Sequence, residues 1–509
     1  MTRTLYASGR GWAPLLAVSL WSLGAWASSP PEGAEPTPPS VQAQRRASAR
    51  RVLVSTDDNS MVLDRDGSVW SWGTGRGDEK GTWPERQMLS STPERLAGVA
   101  GVVSLSSSES HSLALLEDGT VLSWGSNVSG QLGNGTRTPR PTREPVVGLT
   151  DAVAIAAGSS FSLAVRGDGT VWSWGDNSFG TLGDGTRTRR LTPVQVQGLT
   201  DVVAVTTGIN HSLALRADGA VWAWGNNLYG KLGDGTSTQR LTPVQVVGLT
   251  DVVAIESAGN SSFAVRRDGT VWAWGNNNLG QLGNPSAGWG SDTPVQVQGL
   301  AGVVSVFAGI DLAVAVRGDG TVWFWGCAQD SWDPEPQVRQ VPGLTNITHV
   351  TVDEFGLAAV RADGTVWQWF ARDLPAGTPP RQVEGFTDAV AVAYTDHTLQ
   401  VVRSDGTVWN QGDNHVGERG FPSESLTPPG PTQVPGLTGV VSLASSAFGT
   451  TVHALRADGT AAGWGSNSFG MLGSGLSSVY LEPTQVPLPC RLKVQGSGDD
   501  ALNRCAAAP

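Results

Sequence analysis

Repeated Arg-x-Asp-Gly copies are the first feature of this sequence that could do chemistry. If the copies are related by rotation, their guanidinium groups lie at one level and could bind an anion. However, each arginine has an aspartate two residues later and turn carbonyls nearby, so local pairing is the simpler interpretation and the one we favour. The arginines are Arg166, Arg216, Arg266, Arg317, Arg361, Arg403 and Arg456.

Histidines and acids give no sign of a metal or cofactor site. His111 and His211 occupy the same position in two repeat copies, and the other four histidines are scattered without ligand spacing. We therefore expect a structural role, with a nitrogen of each ring bonded to a local carbonyl. No oxygen-rich calcium loop of the Asp-x-Asp-x-Asp-Gly type occurs. The sequence predicts no metal and no cofactor.

The repeated aspartates invite comparison with secreted sialidases, which carry aspartate boxes. Those boxes read Asp-x-Gly-x-Thr-Trp, whereas this chain has Asp-Gly-Thr-Val-Trp. Beyond the first 27 residues, Tyr229, Tyr394 and Tyr480 are the tyrosines that could act as nucleophiles, and none has an acid beside it. We therefore predict a non-enzymatic protein, with a polysaccharide-acting enzyme and a structural envelope protein as alternatives.

The charge of the chain argues against nucleic acid as a partner. The formal net charge is −11 at pH 7, and the lysines are Lys80, Lys231 and Lys493. Arginines occur singly along the repeats, so no basic stripe could neutralise a row of phosphates.

The N-terminal residues have the pattern of an export signal. Arg3 and Arg10 precede an apolar run, Trp12–Trp26, which ends in a small-x-small cleavage site before Ser28. Residues 1–27 are thus predicted to be a signal peptide, and residues 28–50, rich in Pro and Ala, a disordered linker. The expected location is the periplasm or the extracellular space, with no stable membrane insertion once the signal is removed.

An exported chain meets oxidising conditions, which bears on its cysteines. Cys490 and Cys505 lie close together in the C-terminal tail, residues 489–509, and we predict that they form a disulfide. A loop of that length would contribute about 3 kcal/mol. Cys327 would remain a small buried hydrophobic residue.

Nine copies of one phrase determine the expected fold. Its Asp-Gly recurs at intervals of 42 to 53 residues, a period typical of repeat architectures. A complete copy contains four short β-type runs separated by Gly-rich or polar turns, and no helical period is present beyond the signal peptide. The class is therefore all-β.

The Asp-Gly pair predicts a two-residue hairpin turn in each copy. With the turn at Asp168-Gly169, Val165 would lie opposite Trp172 and Leu163 opposite Trp174. One face of the sheet would then be bulky, and the other would carry only small residues. Bulky faces stacked on flat ones would bury the first tryptophan of each phrase, Trp172 and its equivalents Trp222 and Trp272, deeply between sheets.

Stacked four-stranded sheets that close into a ring form a β-propeller. The segment "AAGSSFSLAVRGDGTVWSWGDNSFGTLGDGT", residues 156–186, resembles the repeat of the regulator of chromosome condensation family, and the likeness covers residues 51–488. The family fold is a seven-bladed propeller, whereas nine repeats of about 50 residues occur here. The expectation is a propeller of seven to nine blades. Nucleotide exchange, the founding activity, rests on family analogy alone and is not expected of an exported chain.

Three tryptophans lie outside the repeated phrase and mark the predicted binding site. Trp83, Trp289 and Trp332 fall in irregular segments where the regular NxxGxLG loop is absent, extended or replaced. Loops on a rigid scaffold commonly carry function, and tryptophan is enriched among residues that dominate interfaces. We predict that these residues bind a protein or glycan partner at one rim, with the alternative that each ring covers its own loop.

Overall fold

The computed structural model contains nine four-stranded antiparallel sheets, which we number as blades in chain order. It describes residues 52–55, 59–63, 69–73, 90–95, 101–108, 111–138, 140–308, 312–326, 338–352, 356–370, 379–395, 398–412, 419, 430–445, 451–457, 461–465 and 480–486. Of the sequence predictions, the signal peptide, the linker, the tail with Cys490 and Cys505, Cys327, Trp83 and Trp332 lie outside these residues.

The first five blades are the following. Blade 1 has β1 (Val52–Ser55), β2 (Asn59–Leu63), β3 (Val69–Gly73) and β4 (Ser90–Arg95). Blade 2 has β5 (Val102–Ser107), β6 (His111–Leu116), β7 (Val121–Gly125) and β8 (Arg140–Pro145). Blade 3 has β9 (Ala152–Ala157), β10 (Phe161–Arg166), β11 (Val171–Gly175) and β12 (Arg190–Gln195). Blade 4 has β13 (Val202–Gly208), β14 (His211–Arg216), β15 (Val221–Gly225) and β16 (Arg240–Gln245). Blade 5 has β17 (Val252–Ala258), β18 (Ser261–Arg266), β19 (Val271–Asn276) and β20 (Gly290–Gln296).

The remaining four blades repeat this pattern with shorter outer strands in places. Blade 6 has β21 (Val303–Ala308), β22 (Leu312–Arg317), β23 (Val322–Gly326) and β24 (Arg339–Gln340). Blade 7 has β25 (Ile347–Val352), β26 (Gly356–Arg361), β27 (Val366–Phe370) and β28 (Arg381–Val383). Blade 8 has β29 (Ala389–Thr395), β30 (Thr398–Arg403), β31 (Val408–Gly412) and β32 (Thr432–Gln433). Blade 9 has β33 (Val440–Ser445), β34 (Thr451–Arg456), β35 (Ala461–Gly465) and β36 (Tyr480–Val486).

The blades are arranged as a propeller. Within each blade the four strands pair in chain order, so every sheet is a simple meander. The first strands of successive blades lie side by side, as β5, β9, β13 and β17 do, and β1 lies against β33. The all-β propeller prediction is confirmed, with nine blades. Two short 3-10 turns, Leu228–Gly230 and Pro285–Ala287, are also present. Within the described residues, no helix is long and apolar enough to cross a membrane.

The turn between the second and third strands differs from the predicted two-residue hairpin. In blade 3, Arg166 N donates to Thr170 O and Gly169 N donates to Arg166 O, which leaves three residues in the loop. Gly169 has a φ of 78°, whereas Asp168 does not share this left-handed backbone. Asp168 instead accepts hydrogen bonds from the Thr170 N and Oγ1 atoms, at 2.9 and 2.6 Å. A three-residue loop with glycine in the left-handed region is a standard hairpin, but it changes the register.

The predicted pairing across this hairpin was therefore wrong by one residue. Val165 lies opposite Val171, Ala164 opposite Trp172 and Ser162 opposite Trp174. A slip of one residue moves every side chain to the other face. The result is a tryptophan face, where large rings lie opposite Ala or Ser, and an aliphatic face of Leu and Val. Neither face is flat, which corrects the bulky-on-flat scheme.

Neighbouring blades pack the tryptophan face of one onto the aliphatic face of the blade before it. Trp174 and Ala164 of blade 3 form one buried cluster with Leu113, Leu115 and Val121 of blade 2. The same arrangement joins blades 3 and 4, 4 and 5, and 5 and 6. The small residue opposite each tryptophan makes room for the ring, so the faces interdigitate at the density of a protein interior.

The buried tryptophan is the second of each phrase, which corrects the prediction about the first. Trp174, Trp224 and Trp274 are fully buried, whereas Trp172, Trp222 and Trp272 are half-buried. In blades 3 to 6 the buried indole Nε1 atom donates to a carbonyl oxygen in the preceding blade. These bonds join Trp174 to Gln131 (2.7 Å), Trp224 to Thr181 (2.7 Å), Trp274 to Lys231 (2.9 Å) and Trp325 to Gln281 (2.7 Å).

Local pairing of the repeated arginines is confirmed. Arg166 stacks on the half-buried ring of Trp172, with its Cζ 5.7 Å from the ring centroid. Its Nε donates to the Thr150 carbonyl at 2.9 Å, and a guanidinium nitrogen lies 4.0 Å from Asp168. The equivalent bond from Nε to a threonine carbonyl is made by Arg216, Arg266, Arg361 and Arg456, whereas Arg403 Nε donates to the Asp388 carboxylate. These arginines hold the turn, its tryptophan and the connection between blades together.

The two tryptophans of one phrase should differ in their effect on stability. We expect Trp224→Ala to lower the free energy of unfolding by about 3 to 5 kcal/mol, because it opens a cavity between blades 3 and 4. Trp222→Ala serves as the control and should cost clearly less, since that ring is half-buried and the variant creates no enclosed cavity. Urea or thermal unfolding of both variants tests this, and equal losses would contradict the packing described.

Candidate functional site

The meander places two kinds of connection at opposite ends of the ring. The Asp-Gly turns and the connections between blades lie at one end, which we call the turn face. The tips between the first and second strands and the loops between the third and fourth strands lie at the other end, the loop face. A direct bond joins these two loop-face connections in blade 3, where Asp176 N donates to Ser160 O at 2.9 Å.

A buried asparagine shapes each long loop on this face in blades 2 to 5. In blade 3, Asn177 Oδ1 accepts from Leu182 N at 3.1 Å, and its Nδ2 donates to Asp184 Oδ1 (3.1 Å) and to Thr188 O (3.0 Å). Arg190 pairs with Asp184 at 2.6 Å and ties the loop to the fourth strand. The loop backbone is therefore fixed by side chains of its own repeat, and its tip residues are presented on a rigid support.

The loops also interlock between blades. Gly180 of blade 3 lies so close to Leu241 of blade 4 that a β-carbon on this glycine would be 2.6 Å from the leucine side chain. Gly185 N donates to Leu241 O at 2.9 Å. Each loop thus rests on the fourth strand of the next blade, which makes the loop face of blades 2 to 5 a continuous surface.

Large apolar side chains are exposed at the tips of these loops. Leu228 and Tyr229 of blade 4 are 59% and 41% exposed, and Phe179 occupies the position of Tyr229 in blade 3 with 37% exposure. Val128 in blade 2 is exposed as well. An exposed row of this kind on a rigid support is a feature that commonly marks a binding surface.

Trp289 is the one predicted binding tryptophan that the structure describes, and it lies on this face. Its carbonyl accepts from Asn277 N at 3.0 Å, and Gly290 pairs with Asn276, so the β19–β20 hairpin extends further from the ring than in blades 3 and 4. The indole is 79% exposed. It therefore does not cover its own loop, which was the alternative interpretation for this residue.

Trp289 lies beside the blade 4 loop. A β-carbon on Gly290 would be 3.6 Å from the Tyr229 carbonyl oxygen, and the 3-10 turn Leu228–Gly230 packs against β20. We call the exposed group of Leu228, Tyr229 and Trp289 the rim patch. Its tryptophan was predicted from the sequence, but Leu228 and Tyr229 were not, because they occupy ordinary positions of the repeated loop.

The blade 4 loop differs from its neighbours at Lys231. Gln131 and Gln281 occupy this position in blades 2 and 5, and their side-chain oxygens accept from Ser129 N (2.9 Å) and Leu279 N (2.8 Å) of their own loops. Lysine has no acceptor, so it cannot make this bond. Lys231 Nζ instead donates to Ile209 O and to Asn260 Oδ1, both at 2.8 Å.

The blade 4 loop also adopts a strained backbone. Tyr229 has a φ of 68° and a ψ of 11°, in the left-handed region, and Phe179 at the equivalent position does not. A bulky residue in this region is an outlier that carries a cost of about 1 to 3 kcal/mol. Strain and exposure thus coincide at one residue of the rim patch.

Burial sets the charge state of the groups beneath the rim patch. Burial lowers the pKa of Lys231 to about 8. Burial, together with the nearby Lys231 charge, lowers the pKa of His211 to about 3, so this histidine is neutral at physiological pH. His211 Nε2 lies 3.1 Å from Ser262 Oγ of the next blade, and His111 Nε2 lies 2.8 Å from Ser162 Oγ. The expected structural role of both histidines is confirmed, although their principal partners are hydroxyls of the neighbouring blade.

Within the described ranges, no group of three or more His, Cys, Asp or Glu side chains is placed to hold a metal ion. The distinctive features of the loop face are instead an exposed aromatic and aliphatic patch and a buried ammonium group beneath it.

Tyr229 provides a direct test of loop strain. We expect Tyr229→Gly to be more stable than Tyr229→Ala by about 1 kcal/mol, since both remove the ring but only glycine adopts the left-handed backbone without strain. At Phe179 the order should reverse, with Ala more stable than Gly by about 0.4 to 1 kcal/mol. Chemical unfolding of the four variants measures both differences, and the same order at both positions would exclude strain at Tyr229.

Lys231 provides a pH-dependent test. Because its pKa is lowered from 10.5 to about 8, the unfolded chain binds more protons at this residue between those values. The stability of the parent should therefore rise relative to Lys231→Gln across pH 8 to 10.5, by at most about 1.4 kcal/mol per pH unit. Gln is native at this position in blades 2 and 5, so the variant is compatible with the fold. A stability difference that does not change with pH in this window would show that Lys231 is not buried as an ammonium.

Comparison with known proteins agrees with the fold. The family model of the RCC1-like domain matches residues 22–298. The chain is 40% identical over 81 residues to the RCC1 domain-containing protein RUG3, mitochondrial, of Arabidopsis thaliana, an alignment covering 15% of this chain and 17% of the relative. It is 35% identical over 82 residues to the guanine nucleotide exchange factor SRM1 of Saccharomyces cerevisiae, covering 16% and 17%. The chain thus matches about a sixth of the length of these curated relatives.

Solved structures include similar chains across most of the length. The yeast RCC1 (Prp20) complex with Kap60 has 19% identity and a TM-score of 0.47, covering 96% of this chain and 91% of that one. Human WBSCR16 has 20% identity and a TM-score of 0.45, covering 82% and 89%. The family model matches more than half of the chain. With nine blades built on the repeated phrase, the chain belongs to the RCC1-like domain family.

Proposed function

We propose that this protein is an exported, non-enzymatic propeller scaffold that binds a protein partner through the loop face of blades 4 and 5. The observation that carries the proposal is the rim patch, where Leu228 and Tyr229 are exposed on a turn that packs against β20 and Trp289 is exposed directly before that strand. Tryptophan and tyrosine are enriched among residues that dominate protein interfaces.

The support beneath the patch favours recognition of a folded partner. Side-chain bonds fix the blade 4 loop, with Asn227 Oδ1 accepting from Leu232 N at 2.9 Å and Arg240 pairing with Asp234 at 2.5 Å. A surface whose backbone is already fixed loses little conformational entropy on binding. The mixture of an aliphatic side chain with two aromatic rings fits an apolar protein surface.

Export remains part of the proposal and rests on the N-terminal sequence pattern. Nucleotide exchange is the activity that the name of the yeast relative states, and the matched region covers 17% of that protein. We do not extend that activity to this chain, because a fold does not determine function.

Site-specific photo-crosslinking tests the binding surface. A photoreactive phenylalanine analogue is placed at Leu228 on the loop face, or at Val247 on the turn face as a control of similar exposure (59% and 50%). In the cells that naturally produce the protein, we expect a defined cross-linked partner from position 228 and none from position 247.

Trp289→Ala in the 228 variant then measures the contribution of the patch. Loss of an anchor should cost over about 2 kcal/mol of binding, which lowers the cross-linked fraction strongly at limiting partner concentration. The melting temperature should stay unchanged, since the ring is largely exposed. Equal cross-linking from both faces, or an undiminished yield in Trp289→Ala, would reject the loop face of blades 4 and 5 as the binding site.

A further inference from the structure

We propose that Lys231 is the anion-recognition group of this surface and binds a carboxylate presented by the protein partner. This inference rests on the proposed function for its partner, but the binding of a carboxylate at Lys231 can be tested without one. The site lies between the tips of blades 4 and 5, at Ile209 and Asn260, next to the rim patch.

The hydrogen bonds of Lys231 leave capacity for a ligand. An ammonium group has three N–H donors, and two are used, by Ile209 O and Asn260 Oδ1. Both acceptors are neutral, and no ion pair involving Lys231 occurs among the residues that the structure describes. A carboxylate oxygen would occupy the third donor and neutralise the charge in one contact.

Lys231 is 2% exposed, so its ammonium group is buried beneath the loop face. Ile209 and Asn260, which receive its two bonds, are themselves only half-buried and form the tips of the loop face. Ile209 N also donates to Gly259 O at 3.0 Å and joins the two tips. A carboxylate that reaches the ammonium from the loop face would therefore have to pass between these tips.

Neighbouring blades show that the fold does not require a cation here. Gln131, Thr181 and Gln281 fill the position in blades 2, 3 and 5, and each bonds within its own loop. A buried charge without an opposite charge is costly, and replacing it with glutamine would remove that cost. The loop that carries the rim patch thus has two features that lower stability. These are the buried charge of Lys231 and the strained backbone of Tyr229.

Charged and titratable groups packed around Lys231 do not supply the missing charge. His211 is fully buried and bonded to Ser262. Asp292 of β20 approaches Gly230 through its backbone, and this residue is exposed. The partner is therefore expected to provide an acidic side chain or C-terminus beside an apolar surface that covers Tyr229 and Trp289.

Lysine-selective carbon-13 labelling makes the site observable, because the chain contains only Lys80, Lys231 and Lys493. Sodium acetate is the probe, with sodium chloride at the same ionic strength as the control, and Lys231→Gln assigns the signal. We expect acetate to raise the titration midpoint of Lys231 by about one pH unit at ten times its dissociation constant, and to leave the other lysines unchanged. A Lys231 signal that does not respond to acetate overturns the proposal.

The partner arm uses the cross-linking variant at Leu228. Lys231→Gln should weaken partner capture by about tenfold or more, since a charge-assisted hydrogen bond is lost. Arg381→Gln removes the same charge from an exposed residue of β28 and should leave capture unchanged. If acetate binds but Lys231→Gln captures the partner as well as the parent does, the partner does not supply the carboxylate and that assignment is overturned. If the parent captures nothing, the proposed function fails, and the acetate result alone decides whether Lys231 binds an anion.

Discussion

The buried tryptophan that blades 2 to 7 and blade 9 carry is the contact on which this propeller depends. In blades 3 to 6 this residue both fills the space against the aliphatic face of the preceding blade and donates its indole N–H to a loop carbonyl of that blade, as Trp224 does to Thr181. Thr181 also belongs to the exposed loop of blade 3 and directly follows the loop tip. The contact in the core therefore fixes the loop as well. Ser212 Oγ donates to the same carbonyl at 3.2 Å, so packing of the blades and shape of the loop face are coupled.

The repeated phrase predicted this architecture well but not its register. The period of about 50 residues and the four runs per copy were sufficient for an all-β propeller, and the structure has nine four-stranded blades. The predicted register between the second and third strands depended on the turn that joins them. The Asp-Gly pair suggested a loop of two residues, whereas the loop has three. The reason is the short carboxylate of Asp168, which bonds to Thr170 N and Oγ1 and stabilises the longer loop. A side-chain bond of this kind is not distinguishable from a two-residue turn by the pattern of apolar residues.

Blade 8 shows how far the pattern can change while the packing is kept. Gln411 replaces the buried tryptophan, and the residue paired with it is Leu399, where blade 3 pairs Ser162 with Trp174. The large side chain has moved to the other strand. The loop leucine is replaced by Arg419, which is fully buried and bonds to Asn410 Oδ1 (2.9 Å) and Thr432 Oγ1 (2.8 Å). Polar groups that satisfy one another in this way can occupy an apolar position.

Only part of the candidate site was predicted from the sequence. A repeat whose loop has an unusual length is easy to recognise, whereas an unusual residue in a loop of normal length is not. Trp289 stood out because its segment interrupts the regular loop. Lys231 and Tyr229 lie in a loop of normal length, and their significance appears only when the same position is compared between blades. Gln131 and Gln281 cap their loops, whereas Lys231 bonds to the neighbouring tips, and Tyr229 in the same loop has a positive φ. In a repeat protein, the other copies show which residues the fold requires. The blade 4 loop keeps a buried charge that the fold does not require, and a strained backbone, on an exposed face. Function therefore accounts for these residues better than folding does.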